Sequence, residues 1–473
     1  MKRSFADILS SLDEGRAQKV ARKLPAWAAA GIEIPSALAL EQCSSSATAS
    51  YKAGLAAACL NGSDGQCFRK PVATHGLVNG GDPTARLGGM SEAKVCGSSC
   101  PSGRILDLTG GLGVDSWAFS QVAERVVYFE QNAELAAAAV RNFAKLGADN
   151  IEVRNETVTP ETELPEADLI YADPARRSAA GRKVFLLEDC TPDILTLLPM
   201  LLRKAPVVLL KLSPMADLAM LAGRLGSSLR EIHVVESDGE VKELLCLLVR
   251  DSSPTEPQII IATLIGQAAA SANLRFAHPP QPDGWVPPVY EATGGHGFAE
   301  ALPEPDNAFC FRATEERAAE AVYATGVQAG DTLLEPCPAL LKAGAFKLPC
   351  TRWGLLKLAA STHLYLLPAA PGAETPSSAP GSQIFPSPGA KSPSSAPGSR
   401  FFKAWRVAEV LPFGAAAFKQ LKVRYPRAEV TARNLPLGSD ALRKKLGVAP
   451  GGDVHIFGCR LADGRAVLLV CNR

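Results

Sequence analysis

Three carboxylates in the chain each end a short apolar run and open a polar, turn-forming stretch. Asp107 follows Arg-Ile-Leu and opens the turn Leu-Thr-Gly-Gly-Leu-Gly, Glu130 follows Val-Val-Tyr-Phe, and Asp173 follows Leu-Ile-Tyr-Ala and precedes Pro174. Such runs predict buried parallel strands, and ligands bind where the carboxyl ends of these strands meet. Glycines let the backbone approach a ligand, and a carboxylate after the second strand accepts hydrogen bonds from ribose hydroxyls. The pattern therefore predicts a site for an adenosine-containing cofactor.

The glycine turn favours a cationic ligand over a phosphate. A phosphate-binding loop has Lys followed by Ser or Thr behind its last glycine, whereas Val114 and Asp115 follow Gly113 here. A dinucleotide-binding turn has no carboxylate at its start, and Asp107 would repel a phosphate and attract a cation. S-adenosylmethionine carries a sulfonium and an ammonium and no phosphate, so it fits this turn. The alternative is a tight turn in an unrelated α/β domain, since one glycine loop is a weak signal.

Strand and helix patterns alternate around these residues. The segment Asn132–Leu146 repeats alanine and apolar residues at helical spacing and stops at Gly147. Two later apolar runs, Glu231–Glu236 and Glu243–Val249, flank a turn and predict a closing antiparallel pair. Further strands are predicted at Asn150–Glu156, Asp168–Ala172 and Pro206–Leu212. This order predicts an α/β fold, with a mostly parallel sheet, an antiparallel last strand and cover on both faces.

Further polar side chains are expected at the same edge of the sheet. Asn155 and Glu156 leave the third strand, where either one could contact an adenine amino group. Lys211 comes near the end of its strand and either lines the pocket or extends its ammonium into solvent. Asp173, held before Pro174, could accept a hydrogen bond from an amino group. The alternative for Asp173 is an Asp-Pro turn that only closes a strand.

Residues 104–250 resemble the class I S-adenosylmethionine-dependent methyltransferases. The motifs Asp107–Ser116, Tyr171–Arg177 and Gly239–Glu243 together resemble a narrower group, the bacterial methyltransferases with a ferredoxin-like module and a C-terminal THUMP-like domain. The resemblance implies a Rossmann-like sheet, S-adenosyl-L-methionine as the cofactor and no catalytic metal. The residues that it implies for cofactor binding are Asp107, Thr109, Gly110, Gly111, Gly113, Asp115, Glu130, Asn155 and Glu156.

Asp173, Pro174 and Arg176 are the expected catalytic residues: the resemblance implies that Asp173 and Pro174 contact the reacting edge of the substrate, and Arg176 would hold its base or a phosphate. Asp173-Pro174 is similar to the Asp/Asn-Pro-Pro-aromatic loop of enzymes that methylate exocyclic amines of bases. The chain departs from that loop, because Ala175 replaces the second proline and Arg176 replaces the stacking aromatic. A guanidinium plane can also stack on a base. The departure leaves open a protein that keeps the fold as an RNA-binding scaffold without catalysis.

The rest of the chain divides by composition into five further segments. Residues 1–60 resemble the helical extension of the same group, which either caps one face of the sheet or brings Gln42, Ser44 and Lys52 to the site. A repeated Pro-Ser-Ser-Ala-Pro-Gly-Ser sequence predicts disorder over 369–399. The remaining segments are predicted to be an inserted loop at 61–103, a ferredoxin-like module at 257–368 and a THUMP-like domain at 400–473, after a methyltransferase domain at 104–252.

Composition narrows the class of protein. The chain has 473 residues, enough for roughly two or three domains, and a net charge of +1 that gives no global attraction to nucleic acid. No run of about 18 apolar residues predicts a membrane span, and no signal-peptide core is present, so a cytoplasmic location is expected. The only close pair among 12 cysteines is Cys96 and Cys100, so we expect neither a structural metal nor disulfides. The oligomeric state stays open.

Basic residues concentrate in the C-terminal block and near the Asp-Pro motif. Contacts with nucleic-acid phosphates require such charges. The resemblance to THUMP-like domains, whose relatives occur in RNA-modifying enzymes, also implies binding of structured RNA. The expected RNA-binding residues are Arg177, Lys419, Lys422, Arg424, Arg433, Arg443, Lys444 and Lys445. The sequence therefore predicts methyl transfer to an amine nitrogen of a base in tRNA or rRNA. The alternatives are a DNA, protein or small-molecule acceptor, a catalytically inactive scaffold and, for the basic run, a solvated helix face.

Overall fold

The computed structural model describes residues 15–61, 103–176, 187, 190–250, 256–264, 308–368 and 399–472. Of the predicted insertion at 369–399 and the predicted loop at 61–103, residues 369–398 and 62–102 lie outside these ranges, as do Cys96 and Cys100. The chain divides into two compact units, Met1–Phe309 and Cys310–Arg473. Among the described residues, no helix is long and apolar enough to cross a membrane.

The first unit is built on a large sheet with the strand order β11-β10-β8-β9-β7-β4-β1-β2-β3. These strands are β1 (Arg104–Asp107), β2 (Arg125–Phe129), β3 (Ile151–Arg154), β4 (Leu169–Ala172), β7 (Val207–Leu212), β8 (Leu229–Ser237), β9 (Glu240–Val249), β10 (Gln258–Leu264) and the edge strand β11 (Ala308–Arg312), in which the first unit ends. A separate short pair consists of β5 (Ala175–Arg176) and β6 (Cys190–Thr191).

The strand directions confirm the predicted fold class. Strands β3, β2, β1, β4 and β7 run parallel to one another, and β9 runs antiparallel to both β7 and β8. The turn between β8 and β9 contains Asp238 and Gly239, which both have positive φ, at 55° and 74°. Two central residues of this kind form the tight turn that matches the twist of a hairpin. The closing antiparallel pair thus forms where the sequence predicted it.

Helices cover the sheet and set the positions of the strand ends. In the first unit they are α1 (Pro25–Ala29), α2 (Ala37–Gln42), α3 (Ser46–Asn61), α4 (Val114–Ser120), α5 (Ala133–Lys145), α6 (Ile194–Lys204) and α7 (Leu218–Leu225), with a helical segment at 15–23 and a 3-10 turn at Gly226–Ser228. Asn132 caps α5, because its side chain accepts hydrogen bonds from the backbone N–H groups of Glu134 and Leu135. The helix stops before Gly147, whose φ is 65°, so the predicted helix is confirmed.

The N-terminal helices bury apolar side chains against the sheet domain. Leu24 and Trp27 are fully buried, and the indole of Trp27 meets the edge of Trp117 at a centroid distance of 6.1 Å. Both belong to the core that includes Tyr51 of α3 and Phe119 of α4. At about 25 cal/mol per Å² of buried apolar area, such contacts fix the extension firmly in place. This packing is the one expected of a helical cap.

The second unit contains another sheet, with the order β13-β14-β12-β15-β18-β17-β16. Its strands are β12 (Thr332–Pro336), β13 (Leu356–Lys357), β14 (Tyr365–Leu366), β15 (Phe402–Pro412), β16 (Glu429–Arg433), β17 (Val454–Arg460) and β18 (Ala466–Asn472). Its helices are α8 (Ala313–Ala318), α9 (Pro338–Ala343), α10 (Leu348–Trp353), α11 (Ala415–Arg424) and α12 (Ser439–Leu446), with a 3-10 turn at Ser399–Phe401. Helices α11 and α12 pack through Leu421 and Leu442 on the sheet face that carries Ile456 and Val470.

The start of the second unit differs from the prediction. We expected a ferredoxin-like module from residue 257, whereas Gln258–Leu264 pairs in parallel with β8 in the first sheet. Ile259, Ile260 and Ile261 are buried there. An apolar run of this length fits either sheet, and composition alone does not say which neighbour it pairs with.

Candidate active site

A cleft of about 1090 Å³ opens at the carboxyl ends of β1, β2, β4 and β7. Ligands bind at this edge in open parallel sheets. The glycine turn, Glu130 and Asp173 all line the cleft, so the structure brings together the three strand ends that the sequence singled out. The charged residues of its described lining are Asp115, Glu130, Glu156, Asp173, Asp193, Lys211 and Lys242, an acidic excess that favours a cationic ligand.

The glycine turn lies directly on aromatic rings. A Cβ on Gly110 would stand 2.0 Å from the ring of Tyr128, and a Cβ on Gly113 would stand 2.6 Å from that of Phe143. Gly113 also has a φ of 89° and immediately precedes α4. Only glycine fits these positions, because a side chain would need space occupied by a ring or a backbone angle that L residues rarely adopt.

Glu130 fixes the shape of the glycine turn. Its Oε2 accepts the backbone N–H of Gly111 at 2.8 Å, and its Oε1 accepts that of Asn132 at 2.7 Å. An ionised carboxylate has roughly four acceptor positions, so both oxygens can still accept hydrogen bonds from ribose hydroxyls. Tyr128 adds a third link, because its hydroxyl donates to the carbonyl oxygen of Gly111 at 2.6 Å. No sequence pattern distinguishes Tyr128 from the other apolar residues of its strand.

Asp107 supports the turn from below. It is 1% exposed and lies behind the turn rather than in the cleft lining, and its contact with a cofactor stays a prediction. Its Oδ2 accepts the hydroxyl of Ser116 at 2.6 Å, and its Oδ1 accepts the N–H of Thr109 at 3.1 Å. Burial raises the pKa of Asp107 to about 7 against the effect of these hydrogen bonds.

Asp115 lines the cleft and is held by groups from distant parts of the chain. Its Oδ2 accepts the hydroxyls of Ser44 and Tyr171, each at 2.8 Å, and its Oδ1 lies 3.2 Å from the ammonium of Lys52. Burial alone would raise the pKa of Asp115, but the ammonium groups of Lys52 and Lys211 and these hydroxyls lower it below its usual value. Asp115 is therefore an ionised carboxylate in the cleft wall.

Lys52 does not face a substrate, contrary to one of the two expectations for the N-terminal extension. Its side chain is fully buried and donates to both carboxylate oxygens of Glu243, at 3.1 and 3.0 Å, and to Ser44 at 2.8 Å. Ser44 and Gln42 do line the cleft. The helical extension thus caps the sheet and also supplies part of the cleft wall, anchored by a buried ion pair.

Asp173 lies at the cleft with both its backbone and its side chain fixed. Its N–H donates to the hydroxyl of Thr109 at 2.6 Å, and one carboxylate oxygen, Oδ2, pairs with the ammonium of Lys211. Pro174 lines the cleft beside it. The alternative position for Lys211, extended into solvent, is excluded, because its side chain is 14% exposed and pairs with Asp173.

The remaining predicted cleft residues differ in position. Glu156 lines the cleft, whereas Asn155 donates through Nδ2 to the backbone oxygen of Glu130 at 2.7 Å and supports that residue instead. Arg176 contributes backbone pairing to β5, opposite Cys190. Its side chain and all of Arg177 lie outside the described residues.

The predicted RNA-binding residues of the C-terminal block fall into two groups. Lys419, Lys422, Lys444 and Lys445 are exposed on α11 and α12 and have no carboxylate partner within the described part of the chain. Lys445 lies 5.7 Å from the ring centroid of Phe418. Three arginines have carboxylate partners: Arg424 with Glu409, Arg433 with Glu335 and Arg443 with Asp440.

Arg433 lies apart from the lysines. It is on β16, where Val430 and Ala432 turn towards the two helices. Successive side chains of a strand alternate between faces, so Arg433 points to the opposite face, where its guanidinium lies 3.4 Å from Glu335. The predicted basic cluster is therefore confined to α11 and α12.

Comparisons with known proteins agree with this organisation. Residues 402–473 match the family model of a THUMP domain-like region, and residues 333–370 match that of a ferredoxin-like domain. Strands β12 and β15, one from each match, pair in a single sheet. No curated protein matches the chain.

One solved structure resembles nearly the whole chain. It is a "putative methyltransferase from Porphyromonas gingivalis W83", with 28% identity over 97% of this chain and 88% of that chain and a TM-score of 0.63. A "putative RNA methyltransferase PH1948 from Pyrococcus horikoshii" aligns with 18% identity over 23% of this chain and 50% of that chain, with a TM-score of 0.19, too limited a likeness to support a conclusion. The chain thus has the architecture that the sequence predicted: a class I methyltransferase fold, a ferredoxin-like domain and a THUMP-like domain.

Proposed function

We propose that this protein transfers a methyl group from S-adenosylmethionine to an amine nitrogen of an RNA base. The observation that carries the proposal is the placement of the glycine turn, Glu130 and Asp173 around one acidic cleft. The excess of carboxylates in this lining would repel a phosphate, whereas it attracts a sulfonium and an ammonium. The cleft residues therefore fit this cofactor.

Each cleft residue has a role in holding the cofactor under this proposal. Glu130 would accept the ribose hydroxyls, and the turn at Gly110 and Gly111 would lie against the methionine part, since Cβ atoms are absent there. Asp115 would attract the ammonium from the cleft wall. Bound S-adenosylmethionine supplies an electrophilic methyl group on sulfur, so the protein needs mainly to align the acceptor with it.

Asp173 is the residue that would orient the acceptor. Its Oδ2 pairs with Lys211, and its Oδ1 accepts no hydrogen bond from the described residues, so it can accept an N–H from the acceptor amine. The nitrogen lone pair then forms the new C–N bond, and the C–S bonding pair stays on sulfur. The amine proton leaves to Asp173 or to water.

RNA as the acceptor is supported by the second unit. Its THUMP-like region exposes Lys419, Lys422, Lys444 and Lys445 on two adjacent helices. Several exposed cations on one surface supply the phosphate contacts that determine nucleic-acid affinity. The chain as a whole has a net charge of only +1, so RNA binding would depend on this local surface.

The experiment is transfer of labelled methyl from S-adenosylmethionine to total RNA from cells that lack the protein. Wild type is compared with Asp173→Ala and with Asp149→Ala, an exposed aspartate outside the cleft. Label in RNA with wild type and Asp149→Ala, and none with Asp173→Ala, is the expected result. A protein that binds the cofactor but labels no RNA would direct the search to DNA, protein or small-molecule acceptors.

A scaffold without catalysis is the second candidate. It is favoured by the Asp-Pro-Ala-Arg departure and by the pairing of Asp173 with Lys211. A ligand that binds the folded state raises the melting temperature. A scaffold that has lost the cofactor would show no rise with S-adenosylmethionine at saturating concentration, while it would still bind RNA.

A further inference from the structure

Lys211 and Asp173 form an ion pair in the wall of the cleft. Asp173 comes directly after Ala172 of β4, and Lys211 comes directly after Leu210 of β7. Ala172 and Leu210 lie opposite each other on these neighbouring parallel strands, so the two charged residues are side by side. Both side chains line the cleft, with 14% of the Lys211 side chain and 35% of the Asp173 side chain exposed. The pair therefore lies at the surface of the site and in partial isolation from solvent.

The ammonium of Lys211 stays charged in this position. Burial alone would lower the pKa of Lys211, but the carboxylates of Asp173, Glu243 and Asp115 outweigh it and hold that pKa above its usual value. The other lysine of the described lining, Lys242, pairs with Glu240 at 2.8 Å and is 36% exposed. Lys211 is thus the better shielded of the two cations in this lining.

We propose that Lys211 determines how strongly the protein prefers the cationic methyl donor over its demethylated product. Pairing with Lys211 neutralises Asp173, so the wall beside the bound cofactor carries little net charge at this point. The inference rests on the proposed function, because it concerns the cofactor named there. It assigns Lys211 a role in charge selectivity, in addition to positioning Asp173.

Methyl transfer changes the charge of the cofactor by one unit. The donor carries a positive sulfonium, whereas the product, S-adenosylhomocysteine, carries a neutral thioether. An unpaired carboxylate in the wall would retain the donor and release the product, and an unpaired ammonium would do the reverse. A unit charge at about 12 Å and an effective dielectric constant of about 20 changes the ratio of the two dissociation constants about tenfold.

The test is a charge cycle read by ligand binding alone. Calorimetry gives the dissociation constants of S-adenosylmethionine and S-adenosylhomocysteine for wild type, Lys211→Met, Asp173→Asn and the double variant. Lys211→Arg keeps the charge, and Lys204→Met is the matched control, because Lys204 pairs with Glu166 at 3.3 Å outside the cleft lining. Circular dichroism establishes that each variant is folded.

Opposite shifts in the two single variants are the expected result. Lys211→Met should raise the preference for the cationic donor about tenfold, Asp173→Asn should lower it about tenfold, and the double variant should return to within about threefold of wild type. Lys211→Arg and Lys204→Met should match wild type. A purely structural role for Lys211 would weaken both ligands equally and leave the ratio unchanged.

Two outcomes would overturn the inference. One is an unchanged ratio in Asp173→Asn with both ligands still bound, and this variant decides the matter even where Lys211→Met does not fold. The other is a shift in the same direction for both single variants. A wild-type protein that binds neither ligand would instead overturn the proposed function, and this inference with it.

Discussion

The carboxylate of Glu130 and the backbone N–H of Gly111 are joined by a 2.8 Å hydrogen bond, which ties the end of β2 to the turn after β1. The same carboxylate receives the N–H of Asn132 at the start of α5. One side chain therefore fixes three elements at the edge where the cofactor is proposed to bind. Its charge supports the shape of the turn, and under the proposed function the same carboxylate would accept the ribose hydroxyls.

Replacement of Glu130 by Gln should weaken S-adenosylmethionine binding at least about tenfold, because hydrogen bonds to a charged acceptor contribute about 1.5–3 kcal/mol. The amide nitrogen would also face one of the two backbone N–H groups that the carboxylate now accepts. Calorimetric titration measures the effect. Glu134→Gln removes the same charge from the first turn of α5, outside the cleft lining, and should bind as wild type. Equal affinity of Glu130→Gln and wild type would contradict the proposed role.

Gly110→Ala should destabilise the first unit by about 1–3 kcal/mol or more, the usual cost of overpacking a filled core. The added Cβ would stand 2.0 Å from the ring of Tyr128, which is itself held by its hydroxyl bond to Gly111 and by the edge of Phe143. Urea unfolding measures the loss. Gly223→Ala in helix α7 is the matched control, since nothing lies within 4 Å of its Cβ position, and it should be neutral or stabilising.

The sheet and the strand-end carboxylates were predictable because their signals are local. An apolar run that ends in Asp107, Glu130 or Asp173 predicts a buried strand and the edge at which it ends, whatever its partners are. The order of the central strands then follows from the fold class. Partner choice is less local, and this is why the apolar segment Gln258–Leu264 was placed in the second unit although it pairs with β8.

The buried polar contacts beside the cleft were not predictable, because their members are far apart in sequence. Lys52 and Glu243 are separated by 191 residues, and a lysine in an alanine-rich helix is usually on a solvated face. The contact forms only once α3 packs against the sheet. Asp115 and Ser44 are similarly 71 residues apart. Sequence patterns give the periodicity of each element but not the register between elements, and the register decides these pairs.

Lys52→Met should cost about 3–5 kcal/mol of stability, because it leaves the carboxylate of Glu243 buried without its cation. Glu243 is 2% exposed, and Asp115 would lose the same partner. Urea unfolding followed by circular dichroism measures the effect. Lys19→Met breaks the exposed pair with Glu41 and should cost less than about 1 kcal/mol. The double variant Lys52→Met/Glu243→Gln should recover part of the loss, and no recovery would contradict an electrostatic cause.

Asp107 should make the protein less stable as the pH rises from about 4 to about 7. Its pKa is about 7 in the folded protein and has a usual value of 3.8, so between these values the folded state binds more protons than the unfolded state. The free energy of unfolding then falls with pH, by at most about 1.4 kcal/mol per unit. This contribution is fully present below pH 3.8 and is lost once the pH passes the folded pKa.

The measurement is the difference in unfolding free energy between wild type and Asp107→Asn from pH 5 to 8. The amide keeps an oxygen for Thr109 and gains an N–H for Ser116, and it does not titrate. Wild type should lose stability relative to Asp107→Asn up to about pH 7, and the difference should then level off. A difference in unfolding free energy that stays constant over this range would show that burial does not raise the pKa of Asp107.

Replacement of three lysines on the helices of the THUMP-like region should reduce the salt dependence of RNA binding. Each phosphate contact contributes about 0.7–0.9 to the slope of log affinity against log salt concentration, so the variant Lys422→Gln/Lys444→Gln/Lys445→Gln should lose up to about 2–3 of that slope. Fluorescence anisotropy with labelled total tRNA between about 50 and 200 mM salt, the range in which this dependence is steep, measures the slope.

The control Arg141→Gln/Lys145→Gln/Lys204→Gln removes equal charge from the first unit, where each residue pairs with Glu33 or Glu166. The net charge of the whole chain is only +1, so RNA binding has to come from local contacts. Equal slopes in both triple variants would therefore mean that the α11 and α12 surface makes no phosphate contacts.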